Sequence, residues 1–170
     1  IHTACTALQG GDCDYALAGG VKVNIIPGGK QETSDITIQS ADGYTMTFDN
    51  RASGTGLGEG VAAILLKPVS KAIADRDNIY AVIKGSAVNQ DGASLGITAP
   101  NSKAQERVIT KAWEDAAIDP STIAYMEAHG TATKLGDPVE IKGITNAFKK
   151  YTEKKQFCGI ASLKSNIGHL

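Results

Sequence analysis

Apolar residues in this chain gather into short continuous runs, and the segments between them alternate between helical spacing and polar turns. The runs Cys13 to Val23 and Gly58 to Val69 are apolar at nearly every position, which predicts strands buried on both faces. Ile79 to Asn89 predicts a further strand, bounded by Asp77-Asn78 and Gln90-Asp91-Gly92. Ile123 to Ala128 predicts a buried strand and Phe157 to Ser162 a last one. Residues 1–9 carry Ala4, Cys5 and Leu8 at helical spacing and stop at Gly10-Gly11. Pro68 ends the second run, and a short helix through Ala74 follows. Ser102-Lys103-Ala104-Gln105 reads as a capping box. The helix it opens reaches about Ala117, with Val108, Ile109, Ala112, Trp113 and Ala116 on one face. Asp119-Pro120-Ser121 breaks it. A helix from Pro138 to Tyr151 takes Asp137 as its N-cap. Residues 26–57 and 90–101 lack periodicity and read as long loops, the first with a helical turn near Thr33 to Gln39. Alternating strands and helices imply an α/β sheet, with no repeat and no interdomain linker.

Composition narrows the class without changing that picture. The chain has 170 residues, 42% apolar and 21% charged, as expected of one soluble globular domain. A net charge of −1 gives no footprint for nucleic acid. The longest strongly apolar run, Val61 to Leu66, is too short to span a membrane. With no initiator Met and no signal-type segment at Ile1, the sequence reads as an excerpt of a longer polypeptide. Three cysteines without a close pair (Cys5, Cys13 and Cys158) read as reduced thiols of a cytoplasmic protein.

The candidate chemistry lies where strands end. His129, in Glu127-Ala128-His129-Gly130-Thr131-Ala132-Thr133, follows one predicted strand. His169, in Leu163-Lys164-Ser165-Asn166-Ile167-Gly168-His169, lies in a predicted loop after another. The C-terminal ends of strands are where α/β proteins form clefts. Two neutral imidazoles converging there can donate N–H groups to a carbonyl oxygen that becomes an oxyanion. Lys164 can add positive charge or fix a carboxylate, and the Thr131 and Thr133 hydroxyls can bind an extended polar substrate arm. The competing reading is that each His is a satisfied structural residue. No Cys-x-x-Cys or His-x-x-x-His spacing offers a metal site. Gly54-Thr55-Gly56-Leu57-Gly58-Glu59-Gly60 is not a dinucleotide fingerprint, because Glu59 stands at its sixth position and a strand follows it. It reads instead as a crowded turn. Asp137 and Glu140 read as capping and solvated carboxylates.

His129-Gly130-Thr131-Ala132-Thr133 with Leu135-Gly136-Asp137-Pro138-Val139-Glu140, and Lys164 to His169, resemble the two histidine motifs of β-ketoacyl synthases. The resemblance is closest to the ketosynthase domains of modular polyketide synthases. Gly11-Asp12-Cys13-Asp14, Ala18-Gly19-Gly20-Val21, Phe48-Asp49-Asn50-Arg51-Ala52, Gly58-Glu59-Gly60, Val88-Asn89-Gln90-Asp91-Gly92 and Thr98-Ala99-Pro100-Asn101 extend it along the whole chain. It implies a thiolase-like fold, layered α/β/α/β/α. Residues 1–170 would be an internal fragment of one domain, spanning the end of its N-terminal half and the start of its C-terminal half. It implies decarboxylative Claisen condensation of acyl and malonyl thioesters. His129, Lys164 and His169 would be catalytic, and Thr131 and Thr133 would contact phosphopantetheine carried by a partner acyl carrier protein. No metal or cofactor would be bound directly. The other synthase modules would be partners, and the full domain a homodimer. The family nucleophile is a Cys in a Thr-Ala-Cys-Ser segment. Thr3-Ala4-Cys5-Thr6 imitates it, but Cys5 lies too close to Cys13. The nucleophile would lie about three helical turns before Cys5, outside this sequence, leaving the fragment alone inactive. Cys13 and Cys158 would be core thiols and His2 a structural helical residue. A non-elongating ketosynthase and a non-catalytic docking fragment are the alternatives. Ala132 stands where the family has Gly, tolerable if its φ is negative and damaging if not.

Overall fold

The structure, a computed structural model, describes residues 1–23, 38–92 and 100–170. The helical turn expected at 33–39 falls largely outside these residues, as does most of the loop at 90–101.

Helix α1 (His2–Gly10) ends as its glycines require. Gly11 takes the left-handed conformation at φ 79°, and the amides of Gly11 and Asp12 donate to Leu8 and Ala7. Strand β1 (Ala16–Lys22) pairs antiparallel with β2 (Gly60–Leu66), Ala16 opposite Leu66 and Lys22 opposite Gly60. Burial of these strands is not observed. Leu17, Val21, Val61 and Leu65 are 74%, 71%, 76% and 68% exposed. Their apolar continuity fits a covered sheet, and the described residues supply no layer over it. Pro68 ends β2, and α2 (Val69–Asp75) follows as expected. The Lys67 ammonium joins Asp75 and Asp77 and lies 4.9 Å from the Tyr15 ring centre, clasping α2 to the hairpin.

The strand expected at 79–89 does not form among the described residues. An apolar run becomes a strand only when a neighbour offers a ladder, and none pairs with it here. The segment is held against a helix instead. The Ser86 amide donates to Asp115 at 2.8 Å, and Asn89 Nδ2 to the Ala104 carbonyl at 2.7 Å. At Gly85 a side chain would strike the Ala116 nitrogen, so only glycine fits.

That helix is α3 (Ser102–Ala116). Its cap is Asn101 rather than Ser102: the Asn101 carboxamide oxygen accepts from the amides of Lys103 and Ala104. Asn is as good an N-cap as Ser, and it sits one residue earlier. The Gln105 oxygen of the expected box is buried without a partner. The expected apolar face is only partly the buried one. Ala104, Thr110, Trp113 and Ala116 are buried, while Val108, Ile109 and Ala112 are half-buried.

After the Asp119-Pro120 break, β3 (Tyr125–Glu127) and β4 (Gly159–Ala161) pair in parallel, joined through α4 (Gly136–Lys149). Asp137 is not the N-cap of α4 but lies inside its first turn, because the helix already starts at Gly136. The segment after β4, expected as loop, contains the one-turn helix α5 (Lys164–Ile167). Most of the core is the seam between α3 and α4. Ala104 and Ala147 are fully buried there, and Trp113 lies against Phe148 and Tyr151 with centroids at 4.7 and 5.9 Å. Phe148 continues the cluster to Phe157 at 5.1 Å, beside β4.

The seam holds α4 at its angle to the β3–β4 sheet, so its central ring carries the load. Trp113→Ala is expected to lower unfolding free energy by about 3–5 kcal/mol in denaturant titration. A loss below about 1 kcal/mol would show that α4 is held by other contacts.

Candidate active site

Because β3 and β4 run in parallel with Glu127 opposite Ala161, the chain leaves both strands at the same edge. His129 follows two residues after β3, and Ser162 with α5 follows β4. Ser162 Oγ donates to the His129 carbonyl at 3.3 Å, tying the two exits together. The His129 and His169 rings meet edge to face, with centroids 5.9 Å apart and planes at 84°. Lys164 lies near enough for its charge to act on both His129 and Glu127. The Glu127 carboxylate accepts the Leu163 amide at 2.6 Å, which fixes the start of α5. The structure therefore brings His129, His169 and Lys164 together.

The His129 loop is held through its backbone. Glu140 accepts the amides of His129 at 2.6 Å and Gly130 at 2.8 Å, one on each carboxylate oxygen. Asp137, 6% exposed, accepts the amides of Ala132 at 3.0 Å and Phe48 at 2.8 Å. These two carboxylates were expected to cap and solvate their own helix; they cap the loop instead. Their spacing is the signal for this role. Residues three apart on a helix share a face, and here that face meets loop amides left free by the end of β3. Thr47 Oγ1 donates to the Gly130 carbonyl at 2.7 Å, and the Gly54 amide to the Ala132 carbonyl at 2.9 Å.

Ala132 has φ 58°, the unfavourable case for this position, and is fully buried. A left-handed alanine costs about 1–2 kcal/mol, and burying its methyl returns about 0.8 kcal/mol. A net cost of up to about 1 kcal/mol remains, and the bonds at both its N–H and C=O hold the strained geometry. Thr131 is buried and Thr133 half-buried, with their hydroxyl oxygens 3.4 Å apart. Thr133 Oγ1 accepts the Gly136 amide, which leaves its own proton to donate. It lines an open cavity of about 580 Å³ with Phe48, Asn50 and Lys134. A larger cavity of about 720 Å³ between α4 and Phe157 touches none of the candidate residues.

His169 is docked on the glycine-rich turn before β2. Its amide donates to the Gly56 carbonyl at 2.7 Å, and its carbonyl accepts the Gly58 amide at 3.0 Å. Gly58 has to be glycine, because a Cβ would lie 2.1 Å from the Ile167 carbonyl. The turn is thus crowded because the second histidine segment rests on it. Sequence reasoning missed this docking, and it also missed Lys22, whose ammonium donates to the same His169 carbonyl at 2.8 Å. The His169 Nδ1 lies 2.9 Å from the Leu170 carbonyl. That oxygen only accepts, so Nδ1 carries a hydrogen there. Cys5, Cys13 and Cys158 are free and half-buried, and the Cys5 amide is already spent on Ile1 inside α1.

Partial burial in the loop pushes the His129 imidazole below its ordinary value, the Lys164 charge adds to the shift, and Glu140 opposes it. Proton uptake on acidification therefore sets in at a lower pH than for a free imidazole, which favours the neutral ring. In an NMR titration His129 is expected to have its midpoint below 6.5. Lys164→Met is expected to raise that midpoint by removing a repulsive charge, without full recovery, since desolvation is the larger cause. A midpoint above 6.5 in the unsubstituted protein would contradict this environment.

Comparison with known proteins agrees with this geometry. The family profile of the β-ketoacyl synthase N-terminal domain matches residues 1–72, and that of the C-terminal domain residues 80–170. Polyketide synthase PksL of Bacillus subtilis (strain 168) is 49% identical over 169 residues, covering 99% of this chain and 4% of that protein. Polyketide synthase PksR of the same organism is 44% identical over 172 residues, covering 100% of this chain and 7% of that protein. The solved ketosynthase from module 6 of the bacillaene synthase of Bacillus subtilis 168 superposes with a TM-score of 0.94 at 45% identity. That match covers 99% of this chain and 30% of the ketosynthase. The ketosynthase from module 1 of the bacillaene synthase of Bacillus amyloliquefaciens FZB42 gives 0.90 at 46%, again with 30% of its chain covered. The chain spans a small part of these relatives and has their thiolase-like α/β fold. From its paired family matches and this fold, the chain belongs to the β-ketoacyl synthase family, among the ketosynthases of polyketide synthases.

Proposed function

We propose that these residues supply the two-histidine half of a condensing site that joins acyl and malonyl thioesters in polyketide synthesis. The observation that carries this reading is the edge-to-face approach of His129 and His169 beside Lys164. In the proposed reaction the bond between the malonyl carboxylate and the α-carbon breaks, and carbon dioxide leaves. The electron pair moves onto the thioester carbonyl as an enolate. His129, whose neutral form is favoured by its burial, donates an N–H to that oxygen. His169 joins as second donor. Lys164 adds to the desolvation that disfavours protonation of His129 and supplies positive potential. The α-carbon then attacks an acyl-cysteine thioester, the C–C bond forms, and the cysteine thiolate leaves.

That cysteine is supplied from outside these residues, and Cys5 is not a candidate. The chain is one internal part of the ketosynthase domain, holding the end of its N-terminal half and the start of its C-terminal half, and is inactive alone. Thr133, and Thr131 behind it, bind the phosphopantetheine arm of an acyl carrier protein; no cofactor is bound directly. The working domain is a cytoplasmic homodimer that receives its acyl chain from another module.

The test is His129→Ala in the intact domain. Elongation is expected to fall by about 10²–10³-fold, the usual loss for one oxyanion donor. Product formation at the unsubstituted rate would contradict the reading.

A further inference from the structure

We infer that Lys22 is a positioning residue for the condensing reaction, acting through His169; the assignment rests on the condensing role proposed above. Lys22 is the last residue of β1, opposite Gly60 in the hairpin. Its half-buried side chain crosses to the His169 carbonyl, 147 positions away in the chain, and donates at 2.8 Å. That oxygen also accepts the Gly58 amide at 3.0 Å. A carbonyl oxygen has two lone pairs, and here both are taken by donors from two different elements. With the His169 amide bonded to Gly56, the peptide groups on both sides of the His169 Cα are fixed. Fixing both peptide planes fixes the Cα–Cβ direction, and with it the arc over which the imidazole can swing toward His129.

A lysine is a costly choice for a purely structural tie, because ordering its side chain loses rotamer entropy. It supplies what an amide cannot. A charge-assisted bond to a carbonyl is shorter and stronger than a neutral one. The rest of the contact is a single backbone bridge between Leu57 and His169, outside any longer ladder. Gly168, at φ 74°, precedes His169 and adds no side-chain packing. Without Lys22, the hydrogen bonding that places the His169 peptide would be that of the bridge alone among the described residues.

The experiment compares Lys22→Met and Lys22→Arg in the intact ketosynthase domain. Acylation by an N-acetylcysteamine thioester and decarboxylation of a malonyl thioester are measured separately, together with amide hydrogen exchange over 164–170. In Lys22→Met, kcat for decarboxylation is expected to fall about tenfold, less than the roughly 10²-fold that a 1 Å misplacement brings. KM and acylation should stay within about twofold, and exchange over 164–170 should rise. Lys22→Arg should recover most of the rate and the protection. Decarboxylation at the unsubstituted rate in Lys22→Met overturns the assignment. So does a parallel fall of acylation and decarboxylation, which marks a merely structural role. An unsubstituted domain that neither acylates nor decarboxylates refutes the condensing role, and unchanged exchange in Lys22→Met then refutes the clamp separately.

Discussion

Two carboxylates at the start of α4 hold the site together. Glu140 takes the amides of His129 and Gly130, and Asp137 takes those of Ala132 and Phe48. Without them, the loop after β3 would leave its backbone donors to find other partners. Both Ala132 and Phe48 sit at positive φ, a conformation that non-glycine residues hold only when their surroundings fix it. The Asp137 carboxylate therefore stabilises strained backbone in two segments at once and joins the 38–57 region to the histidine loop. Everything the His129 ring can do depends on its backbone being placed by these contacts.

The second histidine is placed by a different device. His169 rests on the Gly56–Gly58 turn, where missing side chains let two backbones approach. One histidine is thus held by two carboxylates, and the other by close backbone contact together with the Lys22 ammonium. The aromatic seam of Trp113 and Phe148 fixes α4, and with it both carboxylates, against the rest of the fold. Stability and site geometry meet in that helix.

Much of this was legible in the sequence. Helical spacing located α1 and α3, the prolines at 68 and 138 marked α2 and α4, and the apolar runs located β1 to β4 within a few residues. The two histidine motifs pointed to the residues that the structure brings together. What failed did so for nameable reasons. Residues 79–89 are apolar enough for a strand, but a strand also needs a neighbour's ladder, which no local pattern reveals. Continuous apolarity in β1 and β2 records an environment, and the described residues do not provide it. Asn101 displaced Ser102 because either side chain can cap and the helix selects its own start. Asp137 and Glu140 were read as helix residues because sequence shows which groups share a helical face, not what that face meets. Lys22 gave no signal at all, since its partner is a backbone carbonyl far along the chain.

The condensing site requires His129 and His169 to converge on one oxygen. A crystal structure of the intact domain bearing a non-hydrolysable malonyl thioester analogue shows this directly. A nitrogen of each ring is expected within about 3.2 Å of the analogue's carbonyl oxygen. An oxygen reached by only one histidine, or by neither, would contradict it.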